Sequence, residues 1–215
     1  MATIKDYKRE YKDLYLPKIT PAIVNVGEMQ FVAVEGRGNP NDEEGEYPKT
    51  IEILYGIQYT VKMSKMGNNA PKGYFDYVVP PLEGFWWLDN HEFSFDDKSK
   101  FRWIALIRLP EFVDEQIFEW ACEEASKKKK IDVKKAKFLR ITEGLCVQCL
   151  HIGTYDDEPK TLKLIDDFIA EKGLQSDMNE TRRHHEIYLS DPRKTEVSKL
   201  KTVLRIPVRS NKTTF

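Results

Sequence analysis

Apolar and polar residues change their period several times along the chain, and each change marks an element. The run Met29 to Glu35 reads as a strand that Gly36, Gly38 and Pro40 end. A loop holding Asp42, Glu43, Glu44 and Glu46 follows. Ile51, Leu54, Tyr55, Gln58, Val61 and Met63 then recur at helical spacing, which predicts a helix from about Pro48 to Met66 with proline in its first turn. Tyr74 to Val79 reads as a second strand stopped by Pro80 and Pro81, and the aromatic segment Leu82 to Leu88 follows it. Phe101 to Leu109 alternates as a third strand, with Phe101, Trp103, Ala105 and Ile107 on one face. A helix from Glu111 to about Lys130 comes next, with Phe112, Ile117, Trp120 and Cys122 on its stripe. Strand character returns from Ala136 to Ile152, with Gly144 as a candidate break. A helix from Pro159 to Lys172, capped by Gly173, leads to a strand around Glu186 and a last strand from Leu200 to Val208.

The strand around Glu186 carries the most informative pattern. From Arg183 to Leu189, period two puts His185, Ile187 and Leu189 on one face and His184, Glu186 and Tyr188 on the other. The first face fits a core. The acidic and aromatic face has two readings: a half-exposed strand facing water, or the floor of a ligand cleft.

An internal repeat bears on that choice. Glu46 to Leu54 aligns with Asp157 to Ile165 through the shared Pro-Lys-Thr, an offset of 159 − 48 = 111. The same offset carries Pro81 onto Pro192, Phe75 onto Glu186 and Tyr77 onto Tyr188. The expected fold is therefore α+β: tandem βαββ repeats with pseudo-twofold symmetry, antiparallel sheets around a central cleft, and helices outside. Residues 1–20 form an N-terminal arm and 21–215 a single domain, with repeat one at about 28–110, a connector helix at about 111–130 and repeat two at about 136–209. Each unit leaves one sheet face uncovered, and across the groove between units Phe75 and Tyr77 face Glu186 and Tyr188.

Composition narrows the function classes. The 215 residues are 40% hydrophobic, enough for a real core, and 34 basic against 35 acidic residues leave a formal charge of -1. No global charge draws the chain to nucleic acid or to an anionic membrane. No apolar run approaches a membrane span, and three cysteines without a disulfide framework fit a reducing, cytoplasmic setting. Four Trp, ten Tyr and eleven Phe suit stacking on an aromatic ligand.

Several residues are candidates for that ligand's contacts. Trp86 and Trp87 alternate, so an extended backbone sends only one of them to the cleft; both are retained. Tyr55 and Tyr59, one helical turn apart, form a groove wall or simple helix packing. Trp103 joins the aromatic contacts. His151 sits where a strand meets a loop, as a proton-transfer group or a hydrogen-bonded structural histidine. Adjacent His184 and His185 point to opposite faces and do not make a metal pair. Cys146 and Cys149 have CxxC spacing but lie in a strand with no second pair, which reads as core. No metal site, cofactor motif or phosphate loop is expected.

These segments resemble a known family. Phe31 to Gly36, Pro80 to Trp87, His151 to Pro159, and Glu186 to Pro192 followed by Leu200 to Val208 are similar to the GyrI-like small-molecule-binding family, whose fold is also the effector-binding domain of multidrug-responsive bacterial regulators. The resemblance covers nearly the whole chain after about Ile19. It implies paired βαββ repeats around a cleft and a buried glutamate on the penultimate strand that faces aromatic, often cationic ligands; Glu186 matches that position. The residues before the first strand leave no room for a helix-turn-helix domain, so the stand-alone branch is expected. Some stand-alone members are hydrolases that open the cyclopropane of DNA-alkylating natural products. Two functions stay open. In a hydrolase Glu186 activates water, whereas in a binding or sequestering module it pairs with a ligand cation; a protein-docking inhibitor is a third, weaker reading.

Overall fold

The computed structural model describes residues 4–67, 70–88 and 97–210. Two short helices, α1 (Tyr7–Glu10) and α2 (Lys12–Tyr15), precede β1 (Ala22–Arg37), α3 (Glu46–Met63), β2 (Leu82–Trp87) and β3 (Arg102–Arg108). Then come α4 (Glu115–Lys129), β4 (Lys137–Ile152), α5 (Glu158–Glu171), β5 (Leu174–Ser176), β6 (His184–Tyr188) and β7 (Lys201–Ser210). All strand pairings are antiparallel. The order β4-β1-β3-β2-β6-β7 closes through a β4–β7 pairing, so the sheet is a barrel rather than two sheets meeting along an edge. Closure satisfies backbone groups that an open sheet would leave at its edges.

The α+β class and the outer position of the helices agree with the sequence reading, while several details differ. Tyr74 to Val79 is not a strand: only Tyr77 pairs there, in an isolated bridge to Lys5, and the ladder starts beyond the two prolines at Leu82. Gly144 does not break β4. It takes a left-handed φ of 66° and keeps its partner Val26 in an unshifted register, a conformation open to glycine without strain. The offset of 111 also fails to carry through. First strands begin 137 − 22 = 115 residues apart, helices 158 − 46 = 112, and the next strands 184 − 82 = 102.

Helices α3 and α5 pack on the same outer face of the barrel. Val32, Val34, Trp103, Ala105 and Ile107 meet Ile53, Leu54, Ile57 and Val61 of α3, and Val147, Cys149, Leu204 and Ile206 meet Ile165 and Ile169 of α5. The opposite face, expected to lie uncovered, is closed by the N-terminal segment. Tyr7 and Tyr15 are buried there with Tyr77, Ile187 and Val203. The Arg108 guanidinium lies 4.5 Å from the Tyr7 ring centre and 4.4 Å from that of Tyr11, and Tyr7 donates to Glu111 Oε2 at 2.7 Å. Each such cation–π contact contributes on the order of 0.5–2 kcal/mol.

His185 points into this inner face, where the sequence pattern had suggested an apolar core. Its Nδ1 lies 3.0 Å from Glu143 Oε2 and its Nε2 3.0 Å from Glu83 Oε2, while Arg205 donates to Glu143 Oε1 at 2.5 Å and to Gln148 Oε1 at 3.0 Å. Burial by itself would lower the pKa of His185, but the neighbouring Glu143 and Glu83 outweigh it and hold the imidazolium up to about 9. Burial likewise pushes Glu143 upward, and His185 with Arg205 outweighs it to hold the carboxylate down to about 2.

The signs fix a pH window. A raised histidine contributes stability that is complete below its ordinary pKa near 6.5 and is lost as pH rises through about 9. A depressed glutamate contributes stability that is complete above about 4.5 and is lost as pH falls through about 2. Urea midpoints measured from pH 6.5 to 9.5 are therefore expected to fall with pH, and a flat profile would show that His185 carries no linked charge.

Candidate functional site

Strands β2 and β6 pair so that Leu82 opposes Tyr188, Gly84 opposes Glu186 and Trp86 opposes His184. These side chains belong to the outer face, in the gap that α3 and the start of α5 leave between them. A cavity of about 740 Å³ opens there. Tyr47, Ile51 and Tyr55 of α3 form one wall, Tyr155 and Glu158 another, and Glu186, Tyr188 and Trp86 the floor. The mouth is edged by Lys8, Lys98 and Arg193. Aromatic rings recur in the lining: Tyr47 lies 5.5 Å from Trp86, and Tyr155 stands nearly perpendicular to Tyr188 at 5.9 Å. A pocket of this size with a few converging polar groups is suited to a small planar molecule.

Glu186 is 6% exposed and held at both carboxylate oxygens. Tyr188 donates to Oε2 at 2.7 Å, and His184 Nε2 lies 3.1 Å from Oε1. The Trp86 indole donates to the Tyr188 hydroxyl at 2.9 Å, so the three groups form a chain ending on the carboxylate. Burial, then the adjacent Glu186 charge, pushes the Tyr188 phenol well above its ordinary pKa, which keeps it a donor.

Gly84 makes room for this arrangement, since a Cβ there would stand 2.6 Å from Trp86 Nε1 and 3.4 Å from the Tyr188 hydroxyl. Gly84→Ala is expected to displace the indole, cost about 1–3 kcal/mol of stability, and shift the tryptophan emission spectrum. An unchanged spectrum would mean that the Trp86–Tyr188 contact does not depend on the gap.

A second carboxyl group shares the cavity. Glu158, the first residue of α5, is 1% exposed, and its Oε1 has no hydrogen-bond partner among the described residues. Burial and then the Glu186 charge raise its pKa well above the ordinary carboxyl value; the nearby Lys98 is committed to Asp156 at 2.8 Å. The cleft thus holds two unlike carboxyls, Glu186 clamped by donors and Glu158 with its pKa pushed up by burial and by that neighbour.

The expected site residues divide into two groups. Glu186, Tyr188, Trp86, Tyr55 and Tyr59 line the cavity together. Trp87 points away, with the Arg183 guanidinium 3.8 Å from its ring centre. Phe75 and Tyr77, assigned to the cleft by the offset, lie outside it and pack on Phe112 at 5.1 and 6.2 Å. Trp103 is fully buried behind the floor, edge-on to Tyr47 at 5.1 Å, and fits there because Gly36 offers no Cβ. His151 is structural in its bonding, 2.9 Å from both Thr161 Oγ1 and the Thr154 carbonyl.

Glu158 and Tyr47 escaped the sequence reading. An acidic residue at a helix start suits the helix dipole, so nothing in the sequence distinguished Glu158 from a surface one. Burial pushes the Cys146 and Cys149 thiols up to about 12 and about 11, which removes thiolate chemistry near neutral pH. Among the described residues no cluster of three His, Cys, Asp or Glu is positioned to hold a metal, and no helix is long and apolar enough to cross a membrane.

The family model for the GyrI-like small molecule binding domain matches residues 19–209. A hydrolase from Listeria innocua is 45% identical, with 95% of this chain and 100% of that one covered and a TM-score of 0.87. A second Listeria innocua protein, described as uncharacterized and conserved, is 46% identical over 95% of this chain and 100% of that one, with a TM-score of 0.90. The EcmrR C-terminal domain shares the fold at 13% identity and a TM-score of 0.52, covering 89% of this chain and 98% of that domain. No curated protein matches the chain.

Proposed function

The chain belongs to the GyrI-like small-molecule-binding family, and from that premise we propose that its cleft binds an aromatic electrophile, cyclopropane-bearing and DNA-alkylating, and hydrolyses it. The observation that carries this reading is a buried carboxylate, Glu186, on the floor of a cavity lined by aromatic rings and wide enough for a planar ligand. Rings from Tyr47, Trp86 and Tyr188 stack on the ligand. Glu186 takes a proton from water as the water oxygen bonds to the strained ring carbon. The carbon–carbon bond breaks, its electron pair moves into the conjugated ring, and the proton passes to the opened product. The likeness to a hydrolase from Listeria innocua supports the reaction class.

Apart from the short β5, which pairs only with β7, the strand pairings read the same when β1, β2 and β3 are exchanged with β4, β6 and β7, which supports descent from a duplicated βαββ unit within one domain. Three free cysteines suit a cytoplasmic setting for such a detoxifying protein, acting without nucleic acid. Incubation of the protein with a cyclopropane-bearing alkylator, followed by mass spectrometry, tests the reading: a water adduct formed catalytically supports it, and intact compound after prolonged incubation removes the reaction.

A second reading, binding without turnover, is favoured by one observation. Both Glu186 oxygens are already occupied, by Tyr188 and His184, which suits holding a charge more than accepting a proton. Calorimetry with a planar cation separates the two, because this reading requires tight binding with no product.

A further inference from the structure

We infer that Glu158 is a second polar anchor of the cleft, donating a hydrogen bond from its carboxyl group to an uncharged acceptor atom, such as a carbonyl oxygen, on the aromatic ligand. The inference rests on the reading of the cleft as a site for planar aromatic molecules and adds a requirement on their chemistry.

Three observations lead to it. Glu158 lines the same cavity as Glu186 from the opposite side, on α5 rather than β6. It is 1% exposed, yet its Oε1 meets no hydrogen-bond partner among the described residues, and a buried polar atom left in that state is costly unless something else satisfies it. Among the described residues Lys98, the cation that acts on it, is already bound to another carboxylate. The groups around it are Glu186 and Tyr188 from β6, Asp156 and Tyr155 from the turn before α5, Thr202 of β7, whose side chain bonds the carboxyl, and Lys98, whose Nζ is bound to Asp156 at 2.8 Å.

With Glu186 already supplying a negative charge, ionising Glu158 as well would bury two like charges in one cavity. The carboxyl therefore meets a ligand as a neutral O–H group. A neutral O–H donates, and the complementary feature on a ligand is an acceptor. The two carboxyls thereby read two ends of one molecule, a cationic or electron-poor centre at Glu186 and a neutral oxygen or nitrogen acceptor at Glu158. A site built to satisfy a buried polar group discriminates strongly against a ligand that lacks the partner.

Calorimetry with N-methylquinolinium and an acetyl-substituted N-methylquinolinium tests the inference, since the rings match and only the second carries a carbonyl. For the wild type at pH 7 the acetyl compound is expected to bind about tenfold more tightly. Glu158→Gln, whose amide still donates, is expected to keep that preference. Glu158→Leu is expected to lose it while binding the plain quinolinium within about twofold of the wild type, with circular dichroism checking that the variant folds. Equal affinity of the wild type for both compounds would overturn the inference, as would a preference that persists in Glu158→Leu. Proton release on binding, read from calorimetry in buffers of different ionisation enthalpy, would also overturn it, because Glu158 would then be meeting a cation as a carboxylate. Failure of both compounds to bind the wild type would instead remove the underlying reading of the cleft, and the inference with it.

Discussion

Glu186→Gln is expected to lower turnover of a cyclopropane-bearing electrophile by about 10²–10⁴-fold while leaving affinity for a neutral planar ligand nearly unchanged. Glutamine fills the same space and can still accept at one atom from Tyr188, whose hydroxyl lies 2.7 Å from the native carboxylate. What it cannot do is take a proton from water. A loss confined to kcat follows, because stacking on Trp86 and Tyr47 does not involve the charge. Steady-state kinetics checks this by separating kcat from KM. Turnover equal to that of the wild type would exclude Glu186 as the base, and a rise in KM alone would move it to a purely binding role.

Arg205→Met is expected to cost about 3–5 kcal/mol of folding stability, the largest effect foreseen outside the cleft. Arg205, on β7, is fully buried and ties that strand to two other parts of the molecule: Glu143 and Gln148 on β4, and the Leu14 carbonyl of the N-terminal segment at 3.0 Å. Methionine replaces its volume but strands Glu143 with one cationic neighbour in place of two. The N-terminal segment also loses an anchor to the barrel, so protease cleavage before Ala22 is expected to accelerate. Urea denaturation measures the first effect and limited proteolysis the second. A loss below about 1 kcal/mol would place the network among those that a hydrophobic replacement satisfies equally well.

The legible part of the fold followed from periodicity, and the errors have physical causes. Strands and long helices announced themselves at Phe31 to Glu35, at Phe101 to Leu109 and on the stripe from Ile51 to Val61, because each buries one side against a partner. Barrel closure was not legible, since the β4–β7 pairing joins residues far apart in sequence and leaves no local mark. The placement of Phe75 failed because one offset was extended through connections of unequal length; the match at Pro48 and Pro159 is local to the helix starts.

Alternation put Glu186 and Tyr188 on one face correctly, but it could not tell which face the helices cover. The cleft proved to lie between the helices, and the face thought open holds His185, Glu83 and Arg205 under Tyr15. Of the two candidate tryptophans, the pairing of β2 with β6 sends Trp86 to the cleft and leaves Trp87 stacked under Arg183. Glu158 was hidden because its importance comes from Glu186 across the cavity, a neighbour that only folding supplies.

A crystal structure of the protein soaked with a planar aromatic cation tests the central claim most directly. The account predicts electron density for the ring in the cavity between Tyr47, Trp86 and Tyr188, with the ligand's charged end turned toward Glu186. Density instead in the small hollow beside Trp87 and Arg183, with the cleft left empty, would contradict it.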